Sequence, residues 1–188
     1  MLSPRWEKRV LIYSYAYLEE KSTGMEFQQQ KSDQDQSIQR TEPTLRPTHV
    51  VTCFLMRSDT PEPRMLIVQR SQRVGSYHGH WAGISGFVEP GITPDEQAFT
   101  EIREETGLQR DRVQMLRRGA VVEYSDPELG RHFFIHPFLF AVSTPEAIQT
   151  DWEAVSMRWI APGELKDYET VPKLLEVYES AVNGEVVG

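Results

Sequence analysis

The sequence predicts an α+β domain, a mixed or antiparallel β-sheet sandwich flanked by helices. Three observations predict it. Apolar, β-branched segments of strand length recur from residue 48 onward, a helix with signals at both ends interrupts them, and a second helical stretch closes the chain.

The elements follow in order. Thr48 to Arg57 is an apolar strand, and a Pro/Asp turn follows at Ser58 to Pro63. Met65 to Arg70 is a second strand and Trp81 to Val88 a third, interrupted by glycine. A helix spans Pro94 to Thr106. Val113 to Tyr124 and His132 to Val142 are two long strands joined by a turn over residues 125–130. Val155 to Ile160 is the last strand, and Val171 to Val182 a C-terminal helix.

A length of 188 residues fits one domain with an appendage, and the chain divides into an extension, 1–46, and a domain, 47–188. Within the extension, a basic start (Arg5, Lys8, Arg9) precedes an apolar run, Val10 to Leu18, that is too short to span a bilayer. It reads as a short packed element or a translated leader, with an organellar presequence as the alternative. Gln28 to Arg46 is polar and Gln-rich and reads as a linker or disordered segment. The expectation is a cytoplasmic protein with no membrane partner.

Net charge is −8, with acids and bases dispersed. No basic block is present to neutralise a run of phosphates, which disfavours nucleic acid as a partner. An acidic protein that handles an anionic phosphate compound needs a cation between them. Cys53, the single cysteine, sits in an apolar run and reads as a buried, inert thiol.

The informative stretch is Gly86 to Leu108, GFVEPGITPDEQAFTEIREETGL. Thr93-Pro94-Asp95-Glu96 is a capping box with proline at the first helical position, and Gly107 supplies a left-handed stop. Ala98, Phe99, Ile102 and Thr106 fall at core-facing spacing. Glu101, Glu104 and Glu105 fall at i, i+3 and i+4, so their carboxylates are expected to converge on the opposite side. Such a cluster repels itself by ~0.2–0.5 kcal/mol per pair, and a hard cation such as Mg²⁺ or Mn²⁺ relieves it. On its own an E-x-x-E-E is usually a solvated face; its surroundings make it specific.

Those surroundings resemble the Nudix box, G-x5-E-x7-R-E-U-x-E-E-x-G-U, where U is a bulky aliphatic. Gly86, Glu101, Ile102, Glu104, Glu105, Gly107 and Leu108 match without a gap. Trp159-Ile160-Ala161-Pro162-Gly163-Glu164-Leu165 resembles the family's exit from its last core strand, so the likeness runs from about Thr48 to Val182. Ile92 stands where the pattern has a glutamate, and Thr100 where it has the arginine that helps orient the neighbouring glutamate. Both departures remove a charge. A packing contact between Ile92 and Thr100 is one replacement for the polar brace; Arg103, two residues beyond Glu101, points elsewhere. His80-Trp81-Ala82-Gly83-Ile84-Ser85-Gly86, taken with Ile92 and Thr100, is also similar to Nudix domains joined to translation initiation factor two B-like domains, which implies a longer natural chain or a separate partner.

The resemblance implies a Nudix fold and a diphosphate hydrolase that cleaves a nucleoside diphosphate linked to another group, with Mg²⁺ or Mn²⁺ as cofactor. On this reading Glu101, Glu104 and Glu105 ligate the metal, joined by a carbonyl near Ser85 or Gly86. One of these carboxylates, or an acid outside the box, is the general base; Glu153 is the first candidate and Glu123 the next. His80, Tyr124 and Phe133 are candidates for binding the substrate, with Trp152 and His78 behind them; Phe133 and Phe134 must face opposite ways in a strand. Many relatives pair up, so a homodimer is open. The competing reading is a catalytically weak or inactive nucleotide-binding or regulatory module, favoured by the departures at Ile92 and Thr100 and disfavoured by the intact glutamate trio.

Overall fold

The longest contact in the fold is parallel. β1 (Arg46–Arg57) runs beside β7 (Arg131–Val142) over twelve residues, from Arg46↔Arg131 to Arg57↔Val142. This computed structural model describes residues 44–57 and 59–187; the expectations for the N-terminal extension and linker fall, but for the last few positions, outside the described residues. Around the β1–β7 pair the remaining strands are antiparallel: β3 (Trp81–Ala82), β2 (Met65–Arg70), β1, β7, β5 (Val113–Arg118) and β9 (Glu185–Val186) lie in that order, with β4 (Ile84–Phe87) on β1, β6 (Val122–Asp126) on β7 and β8 (Ala154–Ile160) on β2. The sheet is therefore mixed, as an α+β domain with long crossovers between its two central strands allows.

Single glycines divide two of the expected strands. The expected third strand is β3 (Trp81–Ala82) and β4 (Ile84–Phe87), split at Gly83. A side chain on Gly83 would press on the Cys53 carbonyl at 3.0 Å, so that residue is where the chain leaves β2 and turns onto β1. The expected strand over 113–124 is β5 (Val113–Arg118) and β6 (Val122–Asp126). Its break is at Gly119, whose N–H reaches the Pro137 carbonyl at 2.9 Å. β2 (Met65–Arg70) and β8 (Ala154–Ile160) pair along their length. A short strand absent from the sequence reading, β9 (Glu185–Val186), adds to the edge of β5.

Helix α1 (Pro94–Thr106) has the expected bounds and caps. Thr93 Oγ1 accepts the Glu96 N–H at 3.3 Å, Glu96 Oε2 accepts the Thr93 N–H at 3.2 Å, and Gly107 closes the helix at φ 74°. The C-terminal helix α2 (Leu174–Val182) starts later than periodicity suggests. The Val171 N–H bonds to the Trp81 carbonyl instead, and Lys173 adopts φ 65°, outside the helical region.

The two helices cover opposite faces. Ala98 and Ile102 of α1 pack with Val51, Cys53, Leu55, Phe138 and Phe140, while Leu174, Val177 and Ala181 of α2 pack with Phe54, Ile135 and Leu139. Alternation along β1 and β7 supplies both cores. Among the described residues no helix is long and apolar enough to cross a membrane.

Candidate active site

Buried residues on α1 form two parallel columns at i, i+4 spacing. One, Ala98-Ile102-Thr106, is the expected core stripe; the other, Gln97-Glu101-Glu105, is polar. This corrects the expected separation of faces. Glu101 is 1 % exposed and Glu105 7 %, so two of the three glutamates lie inside, beside the apolar column. Glu104 is partly exposed and lies 3.6 Å from the Arg103 guanidinium.

The polar column is received by β4. Gly86 lies opposite Val51 on β1 and faces α1, and a Cβ on it would overlap the Glu101 carboxyl. The carboxylate fills the space that glycine leaves. Next to it, Glu105 Oε1 accepts the Ser85 backbone N–H at 3.1 Å. Gln97 Nε2 donates to Glu101 Oε1 at 2.7 Å.

The segment before β8 closes the far end of the site. The Asp151 N–H bonds to the Glu105 carbonyl at 3.2 Å, and the Glu153 N–H bonds to Asp151 Oδ1 at 2.8 Å. Burial pushes the Glu105 carboxyl well above the usual carboxylate range, and the charges of Glu101, Glu153 and Asp151 push it the same way. The Ser85 N–H opposes them. Under the pair, Cys53 is buried, and its thiol is pushed up by burial and then by Glu101 and Glu105. It is therefore an inert thiol in an acidic setting.

The candidate residues thus divide. Glu101, Glu105, Gly86 and Glu153 come together, with Asp151 as an addition that sequence reasoning missed. Glu123 does not join them; it pairs with His132 at 2.8 Å. His80 points at Glu169, 3.4 Å away, with Nδ1 3.2 Å from the His78 carbonyl. Tyr124 and Phe133 are register partners with rings stacked 6.4 Å apart, and they pack with the α2 core, across the sheet from α1. Phe134 faces the other way, stacked on His49 at 4.8 Å. Trp81 is core. Ile92 is 40 % exposed, so it forms no buried packing brace. Gln97, 2 % exposed and bonded to Glu101, was also missed. Its signal was present, since it precedes Glu101 by the same four residues that separate Glu101 from Glu105.

Among the described residues no three His, Cys, Asp or Glu side chains enclose a metal by themselves. The donor set is an open one: two buried, mutually repelling carboxylates against backbone of β4. Mg²⁺ keeps several waters and takes one or two carboxylates together with substrate phosphates, so these residues fit it.

Comparison with known proteins agrees with this geometry. Residues 46–180 match the family described as NUDIX domain. A crystal structure of a C. elegans Ap4A hydrolase binary complex is similar at TM-score 0.60 and 16% identity, covering 71% of this chain and 93% of that one. The MutT protein from Methanosarcina mazei Go1 is similar at TM-score 0.59 and 18% identity, covering 72% and 92%. A NUDIX hydrolase from Nitrosomonas europaea has TM-score 0.57 and 18% identity, covering 72% and 88%. The fold is shared with all three, and the family match spans most of the sequence, with the glycine, the helix and its buried glutamates in place: the chain belongs to the NUDIX domain family, the family of the Nudix hydrolases.

Proposed function

We propose that this protein is a Mg²⁺- or Mn²⁺-dependent hydrolase that cleaves the diphosphate of a small nucleoside diphosphate derivative. One observation carries the reading: Glu101 and Glu105 are buried side by side against Gly86 and Ser85, at the cost of their mutual repulsion. A domain that only packs has no physical need to bury two like charges.

Glu101 and Glu105 would hold the cation, with the backbone of Ser85 and Gly86 beside them. When bound, such a cation offsets the charge on the diphosphate and lowers the pKa of an attached water. Water attacks one phosphorus in line, the bridging P–O bond breaks, and a phosphate or phosphomonoester leaves. The proton released by the attacking water passes to a carboxylate oxygen. Glu153 is the candidate, because it bears on Glu105 from outside α1 and is partly exposed. Glu104, turned toward Arg103, is a secondary ligand in this reading.

The test is incubation of the purified protein with Mg²⁺ or Mn²⁺ and a panel of nucleoside diphosphate derivatives, with products read by mass spectrometry. Glu105→Gln runs beside it. Metal-dependent cleavage that the variant loses is the expected result. Binding of the same compounds with no cleavage would establish a nucleotide-binding module instead.

A further inference from the structure

The polar column on α1 begins one turn before the glutamates. Gln97 is fully inside the protein, and both ends of its carboxamide are used. Nε2 donates to Glu101 Oε1 at 2.7 Å, and Oε1 accepts the Glu89 backbone N–H at 3.2 Å. These partners fix which way the amide points. A backbone N–H only donates and an ionised carboxylate only accepts, so the flipped amide would satisfy neither.

We propose that Gln97 is a positioning residue for the site, holding the Glu101 carboxylate toward Gly86 and tying that orientation to the loop at Glu89. The inference rests on the hydrolase reading in one respect, that Glu101 holds the cation. Two features support it. Gly86 leaves room for the Glu101 carboxyl, and the carboxamide of Gln97 donates to one of its oxygens. The arginine of the box is Thr100 here, and Ile92 is half in solvent, so the conventional polar support is absent while a different polar residue occupies Glu101's own helical line. A carboxamide also adds no charge. It donates to Glu101 without competing with a cation for the site or repelling it, as an arginine would at equal range.

The experiment measures Mn²⁺ affinity of the full chain by the electron paramagnetic resonance signal of free Mn²⁺. Gln97→Leu removes both hydrogen bonds at similar volume, and Gln97→Met, unbranched and as long, replaces it if the leucine variant does not fold. Ile148→Val is the control, a core change in the same buried apolar cluster. The expected result is a ~10–100-fold weaker Mn²⁺ dissociation constant in the Gln97 variant, the usual loss when a ligand's support is removed. The control should keep the parent's affinity although its melting temperature falls. Parent-like affinity in the Gln97 variant overturns the positioning role and leaves the hydrolase reading standing. An equal loss in the control overturns it too, because the effect is then general loosening. Absence of Mn²⁺ binding in the parent overturns both readings together.

Discussion

The carboxyl of Glu101 occupies the space that a side chain on Gly86 would fill, so a glycine on β4 and a glutamate on α1 form one packed unit. The strand is close to the helix only because nothing projects from that position. Gly86→Ala therefore has two consequences from one methyl group. Stability should fall by about 1–3 kcal/mol through overpacking, and Glu101 should be displaced from its hydrogen bond with Gln97. Metal-dependent hydrolysis should drop at least tenfold, a scale set by misplacing a ligand. Chemical denaturation and kinetics on the same samples check the pair. Unchanged kinetics would show that the Glu101 position is not needed for turnover.

Glu105 makes the opposite prediction for stability. Its carboxyl is buried and pushed up by burial, Glu101, Glu153 and Asp151, so without metal its charge works against folding. Glu105→Gln keeps the shape and removes that charge. The metal-free protein should gain on the order of 1 kcal/mol, which is about 2–4 °C in melting temperature for a domain of this size, while hydrolysis is lost. Mg²⁺ should raise the melting temperature of the parent, since a ligand that binds only the folded state stabilises it, and should leave the variant unmoved. Thermal melts with and without Mg²⁺ separate the two effects.

Two glycines far from the site are as constrained as Gly86, for structural reasons alone. A Cβ on Gly119 would meet the Ser180 carbonyl oxygen at 2.6 Å, and one on Gly184 would overlap the Arg118 carbonyl. Both contacts are backbone and cannot rotate away. They seat the end of α2 and the start of β9 against β5. Gly119→Ala and Gly184→Ala should each cost about 1–3 kcal/mol. Gly163→Ala meets nothing within 4 Å and should be neutral, or stabilising by about 0.4–1 kcal/mol through the unfolded chain. Urea titrations of the three variants would check the order; an equal effect in all three would refute it.

Much of this fold was legible because local signals agree. The capping box at Thr93 and the stop at Gly107 fixed α1 to the residue, since caps satisfy backbone groups that nothing else reaches. The interruption of the 81–88 strand by glycine was legible, but why it falls at Gly83, and the break at Gly119, were not. Their cause is a close approach to Cys53 and Ser180, which are remote in sequence. The late start of α2 has the same origin, a bond from Val171 to Trp81 that overrides helical periodicity. At the site, spacing brought Glu101 and Glu105 together but misjudged their surroundings. A run of charges reads as a solvated face, and only the tertiary fold shows β4 lying over it. Gln97 shares the four-residue spacing of Glu101 and Glu105, but that spacing gains meaning for a glutamine only once its partner is known to be buried.

The imidazoles of His49 and His136 give a pH dependence of their own. His49 Nδ1 and His136 Nε2 are 3.0 Å apart, so one nitrogen must donate and the other accept, and the pair cannot bear two protonated facing atoms. Burial lowers the His136 pKa, His49 lowers it further, and Asp95 on α1 opposes them. The folded protein thus takes up a proton at His136 only below the ordinary value of 6.5. Between that value and the lower folded one the unfolded chain binds more protons, so stability rises with pH across this window. The stabilisation is fully present above pH 6.5 and is lost as pH falls through the folded pKa. His136→Gln retains a hydrogen-bonding group for His49 and removes the titration. Denaturant midpoints from pH 7.5 down to about 5 should decline less in the variant than in the parent. Parallel declines would mean that other groups set the acid sensitivity and that the His49 contact imposes no cost on protonation.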